Sequence, residues 1–361
     1  MLCTVKIKLL ADSKQHESLL STMKRFNQAC NHISAVAFEK KVFAEIPLHK
    51  LCYYDVREQF GLSAQMVVRA IGKVSEAYKV SKKTECTFRE TGAMVYDQRI
   101  LSFRGLERAS MLTLDGRIEV PMLIGRYHHG VLAGRRVRGQ ADLILQDGTF
   151  YLLLVIDVPE LPLIDADDFL GVDMGIVNIA TDSAGENFSG SAVNNVRCRN
   201  ARLRGKLQSK GTKSAKRKLK KLSGKERRFA RDVNHVTSKR IVEKAKALGV
   251  GVAIEDLLGI RTRMEKTVRK RQRYRHSSWS FYQLRQFIEY KAAIAGVPVE
   301  VVDPRYTSQA CPECGLVDRK NRKTRDNFCC VACGYAAPAD NVAAMNIRSR
   351  AVCQSAERGV A

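Results

Sequence analysis

Cys311-Pro312-Glu313-Cys314 and Cys330-Val331-Ala332-Cys333 are two Cys-x-x-Cys pairs with fifteen residues between them. Two such knuckles at that spacing carry four thiolates to the corners of one tetrahedron, the set that zinc takes when its role is structural. Gly315 and Gly334 follow the knuckles, where the backbone has to turn tightly past a metal. A metal-nucleated ribbon is therefore expected at 305–338, with Cys311, Cys314, Cys330 and Cys333 as zinc ligands. Cys329 is a competing ligand, but it would make a Cys-x-x-x-Cys spacing with Cys333, so Cys330 is preferred. Most of the other cysteines are scattered, which reads as one metal site plus reduced thiols rather than a disulfide framework.

Charge is the strongest global signal. Lys and Arg number 62 against 37 Asp and Glu, a formal net charge of +25. Self-repulsion on that scale opposes compactness unless a polyanion screens it. Nucleic acid is the expected polyanion, because lysine and arginine displace condensed counterions from phosphates. The basic runs lack the bulky apolar face of an interfacial helix, so no membrane partner is expected. No apolar run approaches the length of a membrane span, and no secretory signal is visible at the start of the sequence. The expectation is a soluble, cytoplasmic protein, associated with the prokaryotic nucleoid when bound to DNA. No small-molecule cofactor is expected, and the sequence names no protein partner.

Periodicity divides the chain in two. Val5, Ile7 and Leu9 alternate as a strand. Ser13 is a candidate cap for a helix carrying Leu19, Met23, Phe26, Cys30, Ile33 and Ala37 on one face, and helical patterns recur over 48–60 and 63–80. From about 88 the pattern becomes one of short strands, with a hairpin about Gln146-Asp147-Gly148. An acidic, proline-containing linker at 160–168 marks a boundary. Beyond it the order is strand, hairpin, basic stretch, helix (226–248), strand, basic segment, helix (280–295), strand, cysteine module and last helix. That is the order of an α/β domain.

Three carboxylates stand where chemistry would be placed in such a domain. Asp173 ends the strand Gly171-Val172-Asp173, Glu255 ends Val252-Ala253-Ile254-Glu255, and Asp340 opens the last helix. Singly, each has a plain alternative: a turn aspartate, a lysine partner, a helix cap. Jointly, a first-strand Asp, a later-strand Glu and a helix-borne Asp are how an RNase H-like fold gathers two magnesium ions for phosphodiester displacement. Hard oxygen ligands suit Mg2+ or Mn2+ rather than zinc.

Gly171-Val172-Asp173-Met174-Gly175, Ile254-Glu255-Asp256-Leu257, Thr307-Ser308-Gln309-Ala310 with the knuckles, and Asp340-Asn341-Val342-Ala343-Ala344-Met345-Asn346 resemble the TnpB family of transposon-encoded RNA-guided DNA endonucleases, relatives of the type V CRISPR effectors. The detailed match covers roughly 169–348; the N-terminal half matches only in general layout. The resemblance implies a multidomain α/β chain: an RNase H-like RuvC nuclease domain at 161–361 with the zinc ribbon inserted, and a β-barrel (1–12 and 88–160) interrupted by a helical recognition region (13–87). It implies Asp173, Glu255 and Asp340 as the catalytic metal ligands, and guide RNA and target DNA as partners. The sequence departs from the family at Val342, where Asn is usual, and at Asp326, where an arginine is usual and Arg325 is the neighbour.

Two basic tracts leave strands of the proposed catalytic domain, one at 197–231 and one at 261–275. Lys216, Arg217, Lys218, Lys220, Lys221, Arg269, Lys270 and Arg271 are expected to contact phosphates. Tyr274, His276, Trp279 and Tyr282 could stack on bases, although Trp279 at a helix start could equally be packing. The main rivals to a TnpB-type nuclease are a small type V CRISPR effector, an RNA-guided repressor that binds without cutting, and a transposase that joins strands.

Overall fold

The computed structural model describes residues 1–135, 137–257 and 279–359. The chain divides between Pro159 and Glu160 into two units. Among the described residues no helix is long and apolar enough to cross a membrane.

In the first unit, β1 (Leu2–Leu9) leads into three helices, α1 (Ser13–Lys40), α2 (Glu45–Phe60) and α3 (Ala64–Val80). Strands β2 (Met94–Asp97), β3 (Leu101–Arg104), β4 (Arg108–Thr113) and β5 (Gly116–Leu123) follow, then a short α4 (Arg126–Leu132), β6 (Val137–Gln146) and β7 (Thr149–Asp157). The seven strands form one sheet in the order β2-β6-β7-β1-β5-β4-β3. Its two edge strands, β2 and β3, are consecutive in sequence, and only residues 98–100 join them. So short a link forces the edges together, and the sheet curls until it nearly closes. Tyr96 on β2 donates its hydroxyl to the Leu112 carbonyl on β4 at 3.0 Å across the gap. Val5, Ile7 and Leu9 are buried on the inner face, as their alternation predicts.

The cap of α1 corrects the sequence reading. Asp12, not Ser13, accepts from the Gln15 backbone at 2.8 Å, and Gln15 returns a bond to the Asp12 N–H at 3.1 Å. This is a reciprocal capping box, which a Ser13 cap would have placed one residue late.

The second unit is built on a five-stranded sheet. Its strands are β8 (Phe169–Asp173), β9 (Asn178–Asp182), β10 (Asn187–Ser189), β11 (Gly251–Glu255) and β12 (Val299–Val302), in the order β10-β9-β8-β11-β12. β8, β11 and β12 are parallel, while β9 and β10 turn back antiparallel. One face carries Leu170, Val172, Ile179, Val252 and Ile254 into a core with Ile241 of α6 (Lys213–Leu248) and with Leu284 and Ile288 of α7 (Phe281–Ala295). On the other face Phe169, Ala253 and Val302 pack on Ile347 and Ala351 of α8 (Ala339–Gly359).

Gly171 makes the approach of α8 to that second face possible. A Cβ at Gly171 would stand 2.1 Å from the Ala344 carbonyl oxygen and 2.7 Å from the Arg348 nitrogen. The strand and helix backbones therefore touch there, and Arg348 reaches past the contact to pair with Asp168 through Nε at 2.8 Å.

The basic stretch after β10 is helical on both sides of a short turn at Gly211-Thr212. It forms α5 (Ser191–Lys210) and the start of α6, which begins at Lys213 rather than near Glu226. Thr212 caps α6 by accepting from the Ala215 backbone at 3.2 Å, and Gly211 turns the chain with a φ of +62°. Lysine, arginine and leucine are good helix formers. Their charge masks a sparse inner apolar stripe that shows no clear period in the sequence.

Candidate functional site

Parallel pairing of β8 and β11 aligns their carboxyl ends, so the last residue of each, Asp173 and Glu255, emerges on the same edge of the sheet. Asp340 lies in the first turn of α8. Burial pushes the Asp173 carboxyl up to about 8, and the negative charges of Glu255 and Asp340 add to the shift. Glu255 is 7% exposed, and burial raises it as well. Glu255 and Asp340 thus lie close enough to Asp173 for their charges to oppose its ionisation.

Neighbours orient two of them. Thr307 Oγ1 donates to Glu255 Oε1 at 2.6 Å. Asn178 Nδ2, at the start of β9, donates to Asp340 Oδ2 at 3.0 Å. Arg322 Nη2 stands 3.6 Å from the other Asp340 oxygen. The resemblance pointed to position 326, where Asp326 stands with Arg325 beside it; the arginine that reaches Asp340 is Arg322. Here the Arg325 carbonyl accepts from Arg322 Nη2 at 2.8 Å and holds the guanidinium in place. The signal in the sequence was only the density of arginines in the ribbon.

Among the described residues, only Cys311, Cys314, Cys330 and Cys333 bring potential ligand atoms all within 4.8 Å of one another. The Sγ atoms of Cys311 and Cys333 are 3.6 Å apart, and those of Cys314 and Cys330 are 3.5 Å apart. A zinc with Zn–S bonds of about 2.3 Å needs tetrahedral edges of roughly 3.8 Å, so the donor set fits zinc. The knuckles repeat one geometry: Gly315 donates to Cys311 O and Gly334 to Cys330 O, with φ of +74° and +75°. The Cys333 and Ala332 backbone N–H groups point at the Cys330 sulfur and hold its thiol down, to about 6. That favours the thiolate a metal requires. Cys329 is exposed on the ribbon strand β13 (Asn327–Cys329) and lies outside the cluster.

A buried amide braces the two halves of the ribbon against each other. Asn321 Nδ2 donates to the Gln309 and Leu316 carbonyls at 2.9 and 3.1 Å, and its Oδ1 accepts from the Val331 N–H at 2.9 Å. β14 (Ala336–Pro338) pairs with β13 and runs directly into α8 and Asp340.

Lys216, Arg217, Lys218, Lys220 and Lys221 are all exposed on α6. The buried Glu226 clamps α5 to α6, accepting from Asn200 at 3.0 Å and Arg204 at 2.7 Å. On α5, Asn195, Arg199, Arg202 and Lys206 line a shallow cavity. Arg269, Lys270 and Arg271, with Tyr274 and His276, lie outside the described residues. Trp279 corrects a sequence expectation. It is 2% exposed, edge-on to Phe281 with 5.3 Å between ring centroids and under the Arg197 guanidinium at 5.4 Å. It therefore presents no free face to a base and belongs to the core; Tyr282 is the exposed aromatic nearby.

Residues 154–261 match the family described as Probable transposase, and residues 281–347 match the Cas12f1-like TNB domain. A CRISPR-associated endodeoxyribonuclease Cas12f1 of Sulfoacidibacillus thermotolerans is 31% identical over 238 residues, 60% of this chain and 54% of that protein. A TnpB-like protein of Methanocaldococcus jannaschii is 40% identical over 114 residues, covering 32% of this chain and 40% of that protein. The putative RNA-guided DNA endonuclease InsQ of Escherichia coli is 30% identical over 205 residues, 52% of this chain and 50% of that protein. The chain spans about half the length of the curated relatives it matches. A Cas12f1 structure determined with single guide RNA and target DNA superposes with a TM-score of 0.64 over 96% of this chain and 98% of that one, at 14% identity. These matches bear out the resemblance to TnpB that the sequence motifs carry.

Proposed function

We propose, from its kinship with the TnpB-like and Cas12f1 proteins, that this chain is an RNA-guided DNA endonuclease of transposon origin. The observation that carries the reading is the convergence of Asp173, Glu255 and Asp340 from β8, β11 and α8, close enough that the negative charges of Glu255 and Asp340 both oppose ionisation of Asp173. A protein that only bound nucleic acid would gain nothing from this repulsion, which a divalent cation offsets. The mixed sheet and its acidic edge support an RNase H-like, RuvC-type domain at 161–361 with the ribbon at 305–338. The near-closed sheet (1–12 and 88–160) and the helical region (13–87) are assigned to the barrel and recognition parts.

The donor set fits magnesium or manganese: three carboxylate oxygens, set more loosely than the cysteine cage, leave room for the waters that Mg2+ keeps. When bound, the cation would supply Lewis acidity to the phosphodiester and to the attacking water. The protein's part is to hold the carboxylates in register and to bring a cationic group (Arg322) to the edge of the site. The exposed lysines and arginines of α6 supply phosphate contact. The paired guide would read sequence, while the protein reads duplex shape and a short flanking motif.

The test is expression with the native flanking DNA, sequencing of co-purifying RNA, and cleavage of DNA matched to it. Magnesium-dependent cutting that is lost in Asp173→Ala, Glu255→Ala and Asp340→Ala, with DNA binding retained, is the expected result. Sequence-specific cutting by rigorously RNA-free protein would overturn the guided mechanism.

A further inference from the structure

We propose that Thr307 is a positioning residue for Glu255, and that Asn346 couples this positioning to the helix carrying Asp340; the inference rests on the nuclease reading above. Glu255 is buried, and its Oε1 accepts from Thr307 Oγ1 at 2.6 Å, the length of a charge-assisted O–H···O bond. The same hydroxyl lies 3.2 Å from the Pro304 carbonyl, so its one proton has two acceptors, and the shorter contact with the carboxylate takes it. That fixes one oxygen of Glu255 and leaves the other to a cation.

Thr307 is itself held from α8. Asn346 Nδ2 donates to the Thr307 carbonyl at 2.7 Å and to the Ala310 carbonyl at 2.8 Å. Asn346 is 7% exposed and Thr307 is 3% exposed, so the link is shielded from water. Asp340 stands on the same helix, with its own carboxylate fixed by Asn178. No backbone ladder joins α8 to the sheet strand that carries Glu255. α8 packs on β11 through Ile347 and Ala351 against Ala253, and the path Asp340–α8–Asn346–Thr307–Glu255, through the segment that opens the ribbon, adds a directional hydrogen-bonded link that sets the Glu255 carboxylate relative to Asp340. Partners of this kind outside the ligand set fix the orientation of ligating carboxylates and change metal affinity by about 10–100-fold when removed.

The experiment uses the full chain with its RNA and zinc in place. Manganese binding is read by electron paramagnetic resonance as loss of the free-ion signal, with bound zinc and thermal midpoint measured alongside. Thr307→Val keeps shape and removes the donor; Thr307→Ala is a second donor-free variant should valine disturb packing. Expected is an apparent Mn2+ affinity about tenfold or more weaker in both, near wild type in Thr307→Ser, with zinc content unchanged. The cleavage defect should also shrink as Mg2+ is raised, which a loss of fold would not do. Mn2+ binding lost in Glu255→Gln but unaltered in the two donor-free variants overturns this inference alone. Mn2+ binding indifferent to Asp173→Ala and Glu255→Gln overturns the acidic-site reading and this inference with it.

Discussion

Arg322 Nη2 lies 3.6 Å from Asp340 Oδ1, so a side chain of the zinc ribbon touches the helix-borne acid of the proposed catalytic centre. The pair is partly exposed, and a contact of this kind between half-exposed charges contributes little to stability. Its effect is on the field at the site, where Arg322 lowers the Asp173 pKa against the raising influence of burial, Glu255 and Asp340. Arg322→Ala is expected to leave the thermal midpoint nearly unchanged and to lower the cleavage rate by about 10–100-fold, the scale on which losing a partner of a ligating carboxylate acts. Arg322→Lys should recover only part, since lysine cannot keep both the Arg325 carbonyl and Asp340. Single-turnover cleavage at saturating DNA measures it; a rate equal to wild type in Arg322→Ala would remove the arginine from the site.

Asp173 gives a pH prediction for the protein stripped of divalent cation. Its folded pKa is raised to about 8 from an ordinary value near 4. Between those values the folded state holds a proton that the unfolded chain has lost, so stability is highest below about pH 4 on this group's account and falls as pH rises toward 8. Asp173→Asn removes the titration. In chelator at pH 8 the variant should melt above wild type by about 4–8 °C, roughly 2 kcal/mol on the usual scale, and the gap should narrow as pH falls and close near pH 4. Adding Mg2+ should raise the wild-type midpoint and not the variant's. Scanning calorimetry across pH 4–8 decides it, and parallel curves for the two proteins would refute the shift.

These side-chain relationships mark the boundary of what the sequence disclosed. The knuckles of the ribbon, the strands ending in Asp173 and Glu255, and the alternation of Val5, Ile7 and Leu9 were legible because each is a local pattern with one physical cause. The helix from Lys213 was not, because Leu219 and Leu222 are too sparse among lysines to show a period. Trp279 was ambiguous, since a lone aromatic beside a basic tract looks the same whether it faces a base or the core; only its burial against Arg197 and Phe281 separates the two. Arg322, Thr307 and Asn346 were out of reach. Their roles depend on which loop residue arrives at a carboxylate, and no spacing along the chain encodes that.

Gly171 should be the least replaceable residue of β8. An alanine methyl there would collide with backbone atoms of Ala344 and Arg348, which cannot yield as a flexible side chain would. Gly171→Ala is expected to destabilise the fold by ~1–3 kcal/mol, the usual range for overpacking. It should also displace α8, and Asp340 with it, so cleavage should fall further than the stability loss alone would cause. Denaturant unfolding beside cleavage at a temperature where the variant is fully folded separates the two effects. Full cleavage under those conditions would show that α8 accommodates the methyl without moving the acid.

The four clustered cysteines and Cys329 should behave differently. Serine at Cys311, Cys314, Cys330 or Cys333 removes a thiolate from a set whose sulfurs already stand near tetrahedral spacing. Zinc should be lost, and cleavage should fall because β14 delivers the chain straight into Asp340. Cys329→Ser should keep its zinc. Elemental analysis of the purified variants checks this, and zinc lost from Cys329→Ser but retained in Cys330→Ser would reverse the ligand choice.

The exposed lysines of α6 should set the salt dependence of nucleic-acid binding. Lys216, Lys218, Lys220 and Lys221 lie within two turns of one helix, and the buried Glu226 pins that helix to α5 further along. Their positive charges have no acidic neighbour in the Lys216–Lys221 run, so a phosphate backbone is the natural counter-charge. Each phosphate contact releases a counterion, and the slope of log K against log salt scales with the number of contacts. Replacing these four lysines by glutamine should weaken RNA binding and reduce that slope by about one unit for each lysine in contact. Fold should be kept, because all four side chains are exposed and glutamine sustains a helix as well as lysine does. Filter binding of the co-purifying RNA over a range of salt gives the slope directly. An unchanged slope with an intact helix would place the phosphate path elsewhere, with the α5 residues Arg199, Arg202 and Lys206 as the next surface to neutralise.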